Sequence, residues 1–151
     1  MTRTISASFK GLDQAIKAAG DLGPLVKEAA YEAVAETAAN GEATLKEIHR
    51  HAGRSAAGRT YRRGKTVEHR ASAPRNPPAP DTGVLLGSIY HNKIRPGLWL
   101  VGSRIKYALW LEFGTMKIKP RPMWRPAAKI IKKDLIKNVN DNIAKVLRMK
   151  A

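Results

Sequence analysis

Ile89-Tyr90-His91-Asn92-Lys93-Ile94-Arg95-Pro96-Gly97-Leu98-Trp99-Leu100-Val101 is the stretch on which the fold class turns. Two apolar-rich runs flank Arg95-Pro96-Gly97, and Pro-Gly is a turn dipeptide, so the segment reads as a β-hairpin. Helical patterns lie on both sides of it. Upstream, Pro24 suits the first turn of a helix, where its missing N–H costs nothing. From there Val26, Ala30, Val34, Ala38, Leu45 and Ile48 recur at three-to-four spacing, and Glu28, Glu32, Glu36, Glu42 and Glu47 mostly take the other face. This predicts one long helix over 24–51, roughly 42 Å at 1.5 Å per residue. Its apolar stripe is mostly alanine, which permits close approach of a neighbour, with Gly41 marking a bend or a tight crossing. Downstream, Pro126 opens a second long helix with the stripe Ala128, Ile131, Leu135, Val139, Ile143 and Val146 and a basic face of Lys129, Lys132, Lys133 and Lys137. Arg125 precedes a proline, is pushed out of the helical region and is expected at the cap. Helices flanking a small antiparallel sheet make an α+β domain.

The rest of the chain is read around this frame. Residues 3–9 alternate, with Ile5, Ala7 and Phe9 on one side, as in a short strand. Leu12, Ile16 and Ala19 follow at helical spacing. Asp81-Thr82 offers an N-cap to a short helix over Val84, Leu85 and Leu86. Tyr107 to Leu111 is a short apolar stretch ended by Gly114, and 116–122 is an extended basic connector stiffened by Pro120 and Pro122. Residues 52–80 form a long basic loop punctuated by glycine and proline, with short β pieces around Thr60-Tyr61 and Val67-His69. All of 1–151 is read as a single domain, a usual size for one.

Charge narrows the function. The chain has 28 Lys and Arg against 12 Asp and Glu, a net charge of +16. Residues 1–45 hold 4 basic and 6 acidic side chains, residues 46–75 hold 9 and 2, and residues 116–151 hold 11 and 2. The excess therefore sits in a central segment and in the C-terminal part, which points to a polyanion or an acidic partner. Arg54, Arg59, Arg62, Arg63, Lys65 and Arg70, with Tyr61 among them, are the residues expected to face DNA or that partner. Such a segment tracks phosphates without reading bases. No apolar run approaches the ~20 residues of a membrane span. The first residues lack the apolar core of a signal peptide, so a cytoplasmic protein is expected.

Catalytic chemistry finds little support. There is no cysteine, hence no disulfide, thiolate metal site or cysteine nucleophile. His49 and His51 point about 200° apart on a helix and cannot share a metal there. They are expected as partly exposed histidines at a helix end. Asp81 and Glu112 are the only acids between residues 69 and 133, expected as a helix cap and a loop tie. No nucleotide-binding or nucleophile-elbow motif is present. No catalytic residue, metal or cofactor is therefore expected. Trp99, Trp110 and Trp124 are expected in the core or at a subunit interface.

Tyr107-Ala108, Glu112-Phe113-Gly114-Thr115 and then Arg121-Pro122-Met123-Trp124-Arg125-Pro126-Ala127 resemble the hallmark of a tailed-phage neck family. This is the tail-completion, or head–tail joining, family typified by the tenth gene product of a lambdoid siphophage. Gly58-Arg59-Thr60-Tyr61, Ala71-Ser72-Ala73-Pro74, Pro77-Pro78-Ala79, Asp81-Thr82-Gly83 with Leu85 and Ser88-Ile89, and Val101-Gly102-Ser103 resemble it in the same order. The likeness covers roughly residues 20–135. Two positions depart from it. Arg75-Asn76 stands where the family usually has Gly-Glu, and Met123-Trp124 follows Arg-Pro where it usually has Phe.

The resemblance implies a non-catalytic virion protein sitting in a ring around the DNA channel, in the host cytoplasm during assembly and afterwards in the virion. Its implied partners are copies of itself, neighbouring head-closure, tail-terminator or tail-tube proteins, and packaged double-stranded DNA held non-specifically. No membrane and no small-molecule substrate are implied. Tyr107, Glu112, Phe113, Gly114, Thr115, Arg121, Trp124 and Arg125 become the expected interface motif. The alternative is a standalone basic nucleic-acid-binding protein, or an RNA-cleaving toxin using His69, Arg70 and Tyr61.

Overall fold

The computed structural model of the protein describes residues 23–54, 57–63, 65 and 67–150; the expected strand over 3–9 and the helical spacing over 12–19 lie outside them. In chain order the elements are α1 (Gly23–Arg54), β1 (Thr60–Arg63), β2 (Val67–Arg70), α2 (Val84–Ser88), β3 (Ile89–Arg95), β4 (Leu98–Ser103), α3 (Tyr107–Phe113) and α4 (Trp124–Lys150). The fold is α+β. Among the described residues the strands form two separate two-stranded antiparallel sheets, β1–β2 and β3–β4.

α1 and α4 form the spine. α1 has 32 residues and is about 48 Å long. The helices run antiparallel, since Gly41 meets Ile131, Thr37 meets Asn138 and Ala29 meets Asn142. α1 buries Ala29, Ala30, Ala33, Thr37, Ala38 and Gly41 along one stripe. Small side chains bring the axes close. A Cβ on Gly41 would stand 3.0 Å from Ile131 Cδ1, so Gly41 marks the tight crossing. Ala33, Leu135 and Val139 form one apolar cluster on this seam. Asn138 Nδ2 donates to Thr37 Oγ1 at 3.0 Å, and Thr37 Oγ1 donates back to Ala33 O at 2.7 Å.

The larger cluster lies nearer the C-terminal end of α1. Leu45, Leu85, Ile89, Ala108, Met123 and Ala127 are buried there, with Ile48, Val101, Tyr107, Leu111, Trp124 and Ile131 packed around them. It joins α1, α2, the β3–β4 hairpin, α3 and the start of α4. The hairpin is tied to α1 by one carboxylate. Glu42 Oε2 accepts from the His91 backbone N–H at 3.0 Å and lies 2.6 Å from His91 Nδ1, while Oε1 meets Lys46. Burial alone would raise the Glu42 pKa, but Lys46 and His91 outweigh it and leave the carboxyl below its ordinary value.

Three local expectations are corrected. α4 begins at Trp124 rather than at Pro126, and Arg125 lies inside the first turn rather than at the cap. The expected Asp81-Thr82 cap of α2 is displaced by one residue and is made through Thr82. Gly83 holds the N-cap position, and the Thr82 hydroxyl accepts from Val84 N–H at 3.4 Å. His49 is buried at 2% exposure, because α1 continues to Arg54 and the chain after β2 returns across this end, hydrogen-bonding the His49 ring through Pro78.

The hairpin turn shows how closely α1 and the sheet fit. Gly97 has φ +73°, and a Cβ there would sit 2.5 Å from Tyr31 Cε1 on α1. Backbone conformation and space both demand glycine. Gly97→Ala is expected to destabilise the protein by about 2 kcal/mol in urea unfolding. Adding Tyr31→Ala should recover the clash component but not the backbone component.

Candidate functional site

Two surfaces carry the residues singled out from the sequence. The first is the basic ribbon. β1 and β2 pair in the register Thr60↔Arg70, Tyr61↔His69, Arg62↔Glu68 and Arg63↔Val67. The long loop thus contains an ordered hairpin, formed where the two short β pieces were expected. Cross-strand partners share a face, so Arg62, Glu68 and Arg70 lie on one side and Tyr61 and His69 on the other. Gly58 N–H to Ala71 O at 2.8 Å and Ala71 N–H to Arg59 O at 3.1 Å extend the ladder to the ribbon's base. There His69 Nδ1 lies 3.8 Å from Asp81.

The charges on the ribbon stay in solvent. Arg59, Arg62, Lys65 and Arg70 are exposed, as is Arg54 at the end of α1. Arg59 lies over the Tyr61 ring at 5.8 Å, Arg62 pairs with Glu68 at 3.2 Å, and Arg70 Nε reaches Gly58 O at 3.4 Å. Arg63 belongs to the same strand. An exposed basic ribbon with one half-exposed tyrosine can hold phosphates and presents no arrangement for base readout. Among the described residues no group of three or more His, Asp or Glu could hold a metal ion.

The second surface is built by the 107–127 motif, and Glu112 organises it. Glu112 is 3% exposed. Its Oε2 accepts from Met123 N–H at 2.8 Å and from Trp124 N–H at 3.0 Å; its Oε1 accepts from Arg125 N–H at 3.1 Å. The next residue, Pro126, has no N–H. Ala127 N–H then opens the helical ladder by donating to Met123 O at 3.2 Å. Every free donor at the start of α4 is thereby satisfied by one carboxylate and one proline, and the negative charge sits at the positive end of the helix dipole. The Arg125 Nε adds a contact at 3.7 Å.

Between α3 and α4 the chain makes a tight knuckle. Gly114, with φ +77°, ends α3, and a Cβ there would meet Ile118 O at 2.8 Å. Thr115 N–H donates to Ile118 O at 2.8 Å, and Thr115 Oγ1 accepts from Lys117 N–H and Ile118 N–H. Arg121 N–H donates to Leu111 O at 2.6 Å, and Arg75 N–H to Pro120 O at 2.9 Å, which ties the knuckle to the segment after β2.

The motif residues therefore divide. Tyr107 and Trp124 pack against the larger core cluster, Glu112 is buried in its cap, and Gly114 and Thr115 shape the knuckle. Arg121 is partly buried. Phe113 and Arg125 reach the surface, with the guanidinium 5.1 Å from the ring centre. Trp110 is 55% exposed, Met116 stands wholly in solvent and Ile118 is also exposed. Met116 and Ile118 were missed in the sequence. Their signal was the alternation Met116-Lys117-Ile118-Lys119, which resembles a strand but here sets apolar and basic side chains side by side at the surface.

Two outcomes check this geometry. Glu112→Ala leaves three backbone donors without their acceptor, the Met123 amide in the core and the Trp124 and Arg125 amides partly buried, and is expected to cost about 3 kcal/mol in urea unfolding, with faster hydrogen exchange at all three amides. His49 gives a pH signature. Burial holds its pKa below the ordinary 6.5, against the opposing hydrogen bond that the ring donates to the Pro78 backbone carbonyl. The unfolded chain takes up that proton first as pH falls, so stability declines from about pH 6.5 down to the folded pKa and then levels. His49→Gln should abolish this decline in pH-dependent unfolding and leave the more acidic loss at Glu42, below its ordinary 4.5, in place. No protein-family model, curated protein or solved structure matches the chain.

Proposed function

We propose that this chain is a structural protein of a tailed-phage neck, one of several copies in a ring around the DNA channel that completes the tail end or joins it to the head. On this reading it has no catalytic role. The observation that carries the proposal is the division of the 107–127 motif. Its buried half braces the start of α4, while its outer half holds Trp110, Phe113, Met116 and Ile118 in solvent within one short stretch. A rigid display of apolar side chains is what a subunit contact requires and what an isolated soluble domain normally avoids.

The two departures from the family pattern fit the same reading. Arg75 has φ +71°, a left-handed conformation that favours glycine, and it stands where the family usually carries glycine. Met123, where the family usually has phenylalanine, is buried at 1% exposure, so an apolar side chain replaces another in the core. The exposed basic ribbon suits a channel lining or an acidic neighbouring ring, because non-specific DNA contact rests on phosphate neutralisation.

The test is an early stop codon in this gene within the phage or prophage that encodes it, with particles imaged by negative-stain electron microscopy. Filled heads and separate tails support the proposal. Normal joined virions overturn it and favour a standalone nucleic-acid-binding protein. In the phage that requires the chain, Arg59→Glu, Arg62→Glu, Arg63→Glu and Lys65→Glu together are expected to block particle completion, seen as loss of plaques. The purified variant should retain the wild-type circular dichroism spectrum and unfolding midpoint.

A further inference from the structure

The knuckle has a counterpart elsewhere on the same molecule. At the N-terminal end of α1 a groove of about 430 Å³ opens between that helix and the β3–β4 turn, lined by Tyr31, Ala35, Pro96 and Trp99, with Glu28 and Glu32 on its α1 wall. Lys27 lies over the Tyr31 ring at 5.7 Å, and Lys93 stands on the hairpin wall. Glu28, Glu32 and Glu36 recur at four-residue spacing, all exposed, and make no ion pair among the described residues. An unpaired carboxylate row is unexpected on a chain of net charge +16. The knuckle is its complement. Met116 and Ile118 alternate with exposed Lys117 and Lys119, and residues 113–133 contain no acid.

The two surfaces sit toward opposite ends of the spine. The groove reaches α1 around residues 24–35, whereas α3 and the start of α4, which hold the knuckle, pack around Leu45 and Ile48. Thirteen residues of helix separate Glu32 from Leu45, about 20 Å at 1.5 Å per residue. A knuckle braced by Glu112 and Gly114 cannot fold back into its own groove. It can enter the groove of another copy.

We infer that copies of this chain associate head to tail, with Met116 and Ile118 of one copy seated against Tyr31 and Trp99 of the next while Lys117 and Lys119 meet Glu28 and Glu32. Charge selects this arrangement. A knuckle-to-knuckle contact would set lysine against lysine, and a groove-to-groove contact would set the carboxylate rows together. Lys27 and Lys93 balance Glu28 and Glu32 within the groove, whereas the heterologous contact adds Lys117 and Lys119 opposite the two carboxylates, between molecules that otherwise repel. A heterologous contact repeats and, where the rotation closes, gives a ring. The closure rests on the neck proposal; the contact itself rests on these two surfaces.

The test uses the full chain and native mass spectrometry with sedimentation velocity. One variant carries Lys117→Glu and Lys119→Glu, and a second carries Glu28→Lys and Glu32→Lys. Wild type is expected to self-associate, less so as salt rises. Each variant alone should lose about 100-fold in association. An equimolar mixture of the two should associate again, because every knuckle then finds an oppositely charged groove. A monomeric wild type, or a second variant that associates as wild type does, overturns the inference. The latter result would leave the knuckle as a self-contact or a site for another protein. None of these outcomes bears on the stop-codon particles, so the contact and the neck assignment fail separately.

Discussion

One buried carboxylate sets the position of the C-terminal half. Glu112 receives three backbone N–H groups at the start of α4. Its net energy is modest. Removing a carboxylate from water costs several kcal/mol, and each charge-assisted hydrogen bond returns about 1.5–3. The gain and the cost are comparable, so the main consequence is registration. α4 can begin only where its free donors meet Glu112. That fixes Met123 and Ala127 in the larger cluster and, through the antiparallel seam, Leu135 and Val139 in the smaller one. It also fixes both ends of the knuckle, because α3 carries the carboxylate and α4 carries the donors.

The seam between α1 and α4 works on a different principle. Its alanines and Gly41 each bury little apolar surface, so transfer energy per residue is low. They contribute by letting the axes approach until dispersion acts along the length of the helices. A seam of small residues is poorly keyed by shape. Hydrogen bonds from Asn138 and Asn142 onto α1 supply the register, and Glu42 does the same for the hairpin by engaging both the backbone and the ring of His91. Polar side chains thus set the register at all three packing joints: carboxylates at the hairpin and at the start of α4, amides at the seam.

Much of this was legible in the sequence, and the misses share a cause. The stripe from Val26 to Ile48, the Pro-Gly turn and the stripe from Ile131 to Val146 each depend on neighbours a few positions away, and they located α1, the β3–β4 hairpin and α4. What escaped depends on contacts through space. Glu112 reads locally as a tie for its own loop, yet its partners lie eleven to thirteen residues on, and their identity moves the start of α4 two residues ahead of Pro126. His49 looks like a partly exposed helix-end histidine until the segment around Pro78 covers it. The knuckle was hidden for the opposite reason. Met116 and Ile118 have the pattern of a strand, and only the hydrogen bonds of Thr115 and the conformation of Gly114 turn them outward.

On the proposed neck reading, the same separation lets so basic a chain serve as a subunit. A net charge of +16 opposes any contact between copies unless the charge is unevenly spread. Here it is. The ribbon and the knuckle carry exposed cations, while α1 keeps Glu28, Glu32 and Glu36 on its open face. Two kinds of cation then have two uses. Those flanking Met116 and Ile118 are adjacent to apolar side chains, where desolvation strengthens an ion pair and makes it specific. Those on the ribbon are exposed beside Tyr61 and, on the proposed reading, slide along a phosphate backbone without being trapped by it. The proposed neck subunit, which grips its neighbours yet lets a polyanion pass, needs both kinds held apart, and the Glu112 cap and the α1–α4 seam hold them apart.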